Sequence, residues 1–458
     1  MAHGTDPVAA DLVRVRTLAH EVRDAGGRAL VVGGYARDEA LRRLGEPVAS
    51  KDIDVEVYGL RFDELLPLLR SVGRVDIVGA AFVVAKISHT SIDVSIPRRE
   101  SKVGSGHRGF TVEGDPTMSV RDAMRRRDFT VNALALDPLT DDIIDDHGGL
   151  DDLRERVLRA TDPVLFGDDA LRALRAMQFA ARLEMRVEPA TAELCRRLDL
   201  TELPAERIGE EWTKLLLRAS HPSIGLRVGR EIDVIQRLHP ELEALVGTPQ
   251  DPAWHPEGDV WTHTILAVDA ASRLVGDRTD LRDEDRLAVM LATLCHDLGK
   301  PATTTRSDDG RIVSHGHAEA GLEPAGTFLS ALRMPGDVTA KVLKLVLHHL
   351  WPSQHPDPTD RAVRRLARHL VPASIRLLAL VADADTAARA SQTPEDGRRG
   401  ERLLARAAGL RVDGGAEPPI VMGRHLVELG LKPGPQYSRI LDFLYDAQEA
   451  GVFTDVAG

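Results

Sequence analysis

Apolar positions along the chain change period twice, and each change marks a change of architecture. Leu12, Val15, Leu18, Ala19 and Val22 recur at helical spacing and predict a leading helix over residues 9–25. "RALVVGG" reads as a buried strand running into a turn, and "ARDEALRRLG" as a helix closed by Gly45. "KDIDVEVYG" alternates as a strand does, "FDELLPLLRSVG" suits a helix, and "AFVVAKISH" and "SIDVSIP" suit further strands. A mixed-sheet domain is therefore expected over residues 28–155. Beyond Asp151 the strand pattern fades. "DDALRALRAMQFAARLEM", "AERIGEEWTKLLLRA" and "PSIGLRVGREIDVIQRL" all carry helical periodicity. The Pro- and Gly-rich "LVGTPQDPAWHPEGDVW" predicts a break before a second helical region, and the polar joint "SQTPEDGRRG" precedes a short helical tail.

Bulk properties narrow the class. At 458 residues the chain exceeds one core, so several domains are expected. A formal net charge of -12 and 4% aromatic residues argue against broad coating of nucleic acid and against recognition by many stacked bases. Cys195 and Cys295 lie far apart in sequence and suggest a reduced compartment without a disulfide framework. The N-terminus lacks a basic start followed by an apolar core, and no run approaches the ~18 apolar residues of a membrane helix. A cytoplasmic location without a membrane partner is expected.

The first chemistry lies in the strand–turn–helix–strand unit. Two carboxylates at i and i+2 on a strand share a face, so Asp52 and Asp54 could hold a divalent ion with Asp93 of the neighbouring strand. Hard oxygen donors suit Mg²⁺, and two such ions serve in-line displacement of pyrophosphate. Gly33 and Gly34 let backbone N–H groups approach phosphate, with Arg37 early in the following helix. Either feature alone is common on solvated surfaces; together they describe nucleotidyl transfer. The loop "PRRESKVGSGHRGF", with Arg98, Arg99, Lys102 and Arg108, is a candidate basic lid and RNA contact.

"GGYARD" followed by "KDIDVEVYG" resembles the head of class II tRNA nucleotidyltransferases and bacterial poly(A) polymerases. The resemblance implies a triphosphate-binding turn through Arg37 and Asp38, with the Asp pair on the catalytic metals. "RRRDFTVNALALD" resembles that family's ribose-sensing motif and implies nucleotide contacts from Arg127, Asp128 and Asn132. In "FGDDALRALRAMQFAARL" Asp169 and Arg172 stand at i and i+3; a carboxylate and a guanidinium so placed on a helix can read a base edge. The family's Glu-Asp-x-x-Arg motif, credited with selecting CTP and ATP, matches here with Asp168 in place of Glu, and Arg175 is grouped with these nucleotide-binding residues. "RIGEEWTKLL" resembles the next helical motif of the family and is expected to build a neck.

Farther on, "WTHTILAVD", "CHDLGKP", "SHGHAEAG", "LVLHHLWP" and "LVADADTAAR" follow the order of the HD phosphohydrolase superfamily. His263, His296, Asp297 and Asp383 match its ligand pattern and imply a transition divalent metal, with His317, His348 and His349 as candidates for a second position. Hydrolysis does not follow from the fold alone, because a helical scaffold can outlive its chemistry. "KPGP" in the tail opens a helix that could contact RNA.

The expected fold class is thus α+β: an N-terminal helical extension (residues 1–27), a nucleotidyltransferase head (28–155), a helical neck (156–250), an HD domain (251–395) and a helical tail (396–458). The expected activity is template-independent addition or repair of the 3′-terminal CCA of tRNA from CTP and ATP. Poly(A) addition, or CC-only or A-only addition, stands as the alternative within the family. An HD hydrolase using the head as an RNA-binding module, or a nucleotide-binding regulator without turnover, stands as the alternative outside it.

Overall fold

The computed structural model describes residues 7–78, 84–102, 110–276, 278–389 and 399–456. Backbone contacts divide the chain into two compact units, Met1–Leu203 and Pro204–Gly458. The division falls inside the segment expected to form one helical neck.

The first unit is built on a mixed sheet. Its strands are β1 (Arg28–Val32), β2 (Ile53–Tyr58), β3 (Val75–Val78), β4 (Val84–Ile87), β5 (Ile92–Ser95), β8 (Ala135–Leu136) and β9 (Ile143–Ile144), in the order β3-β4-β5-β2-β1-β8-β9. A separate antiparallel hairpin pairs β6 (Arg98–Lys102) with β7 (Phe110–Gly114). β1 is central, so four successive residues, Ala29 to Val32, are buried and the strand reads as a continuous apolar run. β2 has water on part of one face and alternates: Ile53, Val55 and Val57 are buried while Asp54 is exposed.

Register decides what shares that polar face. Val32 of β1 lies opposite Asp54, Asp54 opposite Asp93 of β5, and Asp93 opposite Lys86 of β4. Residues directly across neighbouring strands point the same way. One row of the sheet therefore carries two carboxylates and an ammonium side by side.

The helix Gly34–Arg43 follows β1 directly, with Gly45 at φ 93 beyond its end, as the sequence predicts. The expected helix after residue 166 is broken: a 3₁₀ turn, Leu165–Asp168, precedes a helix that begins only at Arg172. Phe129 anchors this region to the head through edge contacts with Phe166 and Phe179, at centroid distances of 5.8 and 6.1 Å. Strand pairing does not stop at Asp151, since Val157–Leu158 pairs in parallel with Arg186–Val187.

The second unit is almost wholly helical. Helices Val260–Gly276, Asp283–Cys295, Gly336–His348 and Ile375–Ala388 form its centre, and the run Leu287–Cys295 is buried without interruption. A helix buried all round reads as a continuous apolar stretch, which explains its weak amphipathic signal. The segment over residues 222–238 forms two helices, broken at Asp233 with φ 61. Both cysteines are buried free thiols. Among the described residues no helix is long and apolar enough to cross a membrane.

One close approach tests the packing of this unit. A Cβ at Gly209 would lie 2.1 Å from the carbonyl oxygen of Leu332, which is backbone and has little freedom to yield. Gly209→Ala should cost about 1–3 kcal/mol, as overpacking does. A lowered thermal midpoint, with wild-type circular dichroism at low temperature, is the expected result.

Candidate functional site

In the first unit a cavity of about 570 Å³ opens over the polar row, lined among others by Asp54, Glu56, Asp93, Arg61, Arg98 and Arg127. That size falls within the range of small-molecule sites. Loss of solvent around its carboxylate raises the pKa of Asp54; Arg127 opposes the rise, Asp93 and Asp52 add to it, and Lys86 opposes it. Crowded carboxylates form a set that a divalent cation would neutralise, and the donors are all hard oxygens. Asp52 lies just before β2 and is exposed. Lys86, unforeseen from sequence, donates to Asp93 at 2.7 Å.

Gly33 makes room for the opposing cation. It sits at φ 68, and a Cβ there would lie 2.4 Å from Nη1 of Arg127. Gly34 begins the following helix, whose first N–H groups point back to this turn.

Behind the turn runs a buried network. Arg37 is 2% exposed; it donates through Nε and Nη2 to Asp38 and through Nη1 to Asn132 Oδ1 at 2.7 Å. Asn132 donates to Asp128 at 3.0 Å, and Arg175 donates to the other oxygen of Asp128 at 2.6 Å. Burial opposes charge on Asp128, but Arg175 and Asn132 hold its pKa below the usual range. The expectation that Arg37 faces phosphate is corrected: its guanidinium is consumed in bracing Asp38 and Asn132.

The base-reading pair is also placed differently from its expectation. Asp169 precedes the helix and accepts from Leu171 N at 3.0 Å, so it does not share a helical face with Arg172. Arg172 donates to the carbonyls of Leu165 and Arg126, each at 2.7 Å, and lies over the Phe166 ring. Arg98, Arg99 and Lys102 belong to β6, and Arg98 is exposed; Arg108 and the tip of the basic loop lie outside the described residues.

A second cluster is buried in the helical unit. Among the described residues three groups draw ligand atoms within 4.8 Å: His255, Glu257 and His263; His263, His296 and Asp385; Asp297, His317 and His349. His296, His317 and His349 each point Nδ1 at a backbone carbonyl, of Thr293, Ser314 and Val346, at 2.7 Å. A carbonyl only accepts, so each Nδ1 carries hydrogen and each neutral ring offers a bare Nε2. The Nε2 atoms of His317 and His349 stand 3.2 Å apart, and burial pushes His349 down to about 3, so no proton is shared there near neutrality. His296 Nε2 is buried without a hydrogen-bond partner. Facing lone pairs and an orphaned imidazole fit a cation, and the mixed nitrogen and carboxylate donors suit a transition metal.

Carboxylates complete the arrangement. His263 donates to Glu257 at 2.8 Å and faces Asp385 at 3.0 Å; burial opposes its charge, yet these two partners raise its pKa. Asp385 is held well below the usual range, with Arg389 overcoming burial, and Lys300 Nζ lies 2.7 Å from Asp297. Lys300 and Arg389 lie inside the "CHDLGKP" and "LVADADTAAR" motifs, and His255 and Glu257 in the Pro- and Gly-rich break, but the sequence assigns none of the four to the cluster. Two expectations are corrected here. Asp383 turns away from the cluster and accepts from Gly400 N at 3.1 Å, because residues two apart on a helix are ~200° apart. His348 also leaves the cluster, stacking with His369 instead.

The two aspartates should separate cleanly on substitution. Asp385→Asn is expected to lose bound metal measured on the purified protein, and Asp383→Asn to retain it. Burial raises Asp383 to about 6, so the native state holds its proton more tightly than the unfolded chain. Stability from this group is therefore full below about pH 4 and lost as pH rises through about 6. Asp383→Asn should flatten that part of the stability profile and raise the melting temperature most above pH 6.

Residues 29–159 match the poly A polymerase head domain, 184–245 the "Probable RNA and SrmB- binding site of polymerase A", and 260–390 the HD domain. A multifunctional CCA protein of Pasteurella multocida is 38% identical over 314 residues, covering 67% of this chain and 70% of that protein. Among solved structures, a CCA-adding enzyme in complex with CTP aligns with a TM-score of 0.60 at 19% identity, over 99% of this chain and 94% of that one. The Thermotoga maritima CCA-adding enzyme complexed with tRNA-CCA aligns with a TM-score of 0.56 at 19% identity, over 99% and 94%. With a nucleotidyltransferase head carrying the paired aspartates and an HD domain carrying the histidine cluster, the chain belongs to the class II CCA-adding enzyme family.

Proposed function

We propose that this protein adds or repairs the 3′-terminal CCA of tRNA, without a nucleic-acid template, using CTP and ATP. The observation that carries the reading is the row of the sheet that sets Asp54 beside Asp93 under a nucleotide-sized cavity, with Arg127 entering over Gly33. Asp52, Asp54 and Asp93 would hold Mg²⁺, which when bound supplies Lewis acidity at the attacking ribose hydroxyl and charge neutralisation at the departing pyrophosphate. The N–H groups at the start of the Gly34–Arg43 helix orient the triphosphate. Arg127 adds a cation beside the same carboxylates and phosphates. Arg37 acts behind them, holding Asn132 and Asp38 in place toward the sugar. Asp169 and Arg172 read the base from the region after the 3₁₀ turn; Arg172 reaches it from a guanidinium already fixed by two carbonyls.

Incubation with tRNA lacking CCA, CA or A, with each nucleotide separately and sequencing of the products, tests the reading directly. CTP incorporation on the first two and ATP incorporation on the last is the expected pattern; a homopolymeric A tail would overturn it. Asp54→Ala should lower incorporation on the order of a thousandfold, about 4 kcal/mol of transition-state stabilisation, with tRNA affinity unchanged. Arg172→Ala should raise GTP or UTP incorporation relative to CTP and ATP by roughly 10- to 100-fold, in line with ~1–3 kcal/mol per base-edge contact.

A second reading concerns the HD cluster, and the facing Nε2 atoms of His317 and His349 favour it. We infer a metal-dependent phosphohydrolase activity there, on a 2′,3′-cyclic phosphate or another phosphodiester. Hydrolysis should persist in Asp52→Ala/Asp54→Ala and vanish in Asp297→Asn; loss in the former variant would refute an independent site.

A further inference from the structure

Several cations of the helical unit are matched by carboxylates. On helix Asp360–Leu370, Arg364 donates to Glu417 at 3.0 Å and Arg368 to Asp446 at 2.9 Å, while Arg406 takes Asp360 at 2.8 Å. Lys344, Arg361 and Arg365 are among the cations for which no carboxylate lies within ion-pair distance among the described residues, and they are set apart by standing together.

Their spacing gives them a common direction. Arg361, Arg365 and His369 stand at i, i+4 and i+8 on one ridge of the Asp360–Leu370 helix, and all three are exposed. The opposite side of that helix, Val363, Leu366, Ala367 and Leu370, is buried. Lys344 and His348 stand at i and i+4 on the Gly336–His348 helix. The two ridges meet where the rings of His348 and His369 stack, with centroids 6.4 Å apart and planes at 24°. Of the acids around this ridge, Asp446 pairs with Arg368 and Asp360 with Arg406; Glu449, only 3% exposed, lies in the field of Arg365 and Arg361, and Glu319 is exposed near His348 without forming an ion pair to the ridge.

Uncompensated like charges repel, and a chain with net charge -12 has carboxylates to spare. Three unmatched cations and two imidazoles on one ridge therefore point to a partner that brings its own negative charge. Length argues for a polymer: Arg361 to His369 spans about 12 Å of helix, more than one phosphate group occupies. No carboxylate or amide is interleaved to read base edges, so the contact would be independent of base sequence.

We propose that this two-helix ridge, formed by Lys344, His348, Arg361, Arg365 and His369, binds the phosphate backbone of RNA, resting on the reading that tRNA is the substrate. It gives the HD unit a contact with RNA separate from its buried histidine cluster. Each neutralised phosphate releases condensed counterions, so the contact has a signature in salt.

The test uses the full chain with Lys344→Gln/Arg361→Gln/Arg365→Gln and fluorescently labelled tRNA lacking CCA, titrated over a series of KCl concentrations. Affinity near 0.1 M salt should fall about tenfold or more, and the slope of log K against log salt should lessen by about two to three. Melting temperature should stay at the wild-type value, as should incorporation at saturating tRNA. Arg361→Lys/Arg365→Lys, which keeps the charge, should retain wild-type binding; its failure to do so would overturn a purely electrostatic contact. An unchanged affinity and salt slope in the triple variant would overturn the proposal while leaving CCA addition standing. Wild-type protein that fails to bind tRNA at all would instead overturn the substrate reading. Unaltered tRNA affinity with lost binding to phosphatidylglycerol vesicles would reassign the ridge to a membrane surface and equally overturn it.

Discussion

Asp54 beside Asp93 on adjacent parallel strands is the arrangement from which the first unit takes its shape. Like charges directly across a sheet destabilise it, so the surroundings must offset them. Lys86 does so from the far side of Asp93, and Arg127 from above Asp54. Arg127 reaches that position only because residue 33 has no side chain. The same lack of a side chain allows the positive φ with which the chain leaves β1 and enters the helix Gly34–Arg43. Register, turn and cation are thus one solution to one electrostatic problem.

The buried polar network extends this solution away from the Asp54 and Asp93 carboxylates. Asp38, Arg37, Asn132, Asp128 and Arg175 alternate in charge or hydrogen-bonding role, each satisfied by the next. Removing one partner from such a chain leaves a buried charge exposed to a poor dielectric, which costs more than the bond itself. Residues that a motif groups as nucleotide contacts therefore divide by function. Some face the cavity, and others fix the orientation of those that do.

Much of this was legible in the sequence, and the exceptions have physical causes. Strand alternation located β2 and β5, and two-residue periodicity put Asp54 and Asp93 on faces that the sheet then brought together. Periodicity does not report which strand lies beyond β5, so Lys86 was invisible. Helix phase was the other weak point. In "LVADADTAAR" both aspartates fit a helix, but only tertiary packing decides which one turns inward, and Asp385 does. The same ambiguity of one residue separated His349 from His348. Asp169 was displaced from the expected helix because the 3₁₀ turn over Leu165–Asp168 delays the helical start to Arg172. Arg37 looked like a phosphate ligand because sequence shows charge and not burial.

The two centres answer the same difficulty, crowded ionisable groups, with opposite donor chemistry. In the head every candidate ligand is a carboxylate, and neighbouring cations offset the charge. In the HD cluster the carboxylates are joined by imidazoles whose Nδ1 hydrogens are fixed on backbone carbonyls, which leaves neutral nitrogen donors aimed inward. Oxygen-only sites suit Mg²⁺, whereas mixed imidazole and carboxylate sites hold later transition metals more tightly. By donor type the carboxylate set favours Mg²⁺ and the mixed set a later transition metal. The division also leaves the two sets of candidate ligands without a shared member. No side chain of the Asp52, Asp54 and Asp93 set belongs to the histidine cluster, and each group of ligands lies within one compact unit.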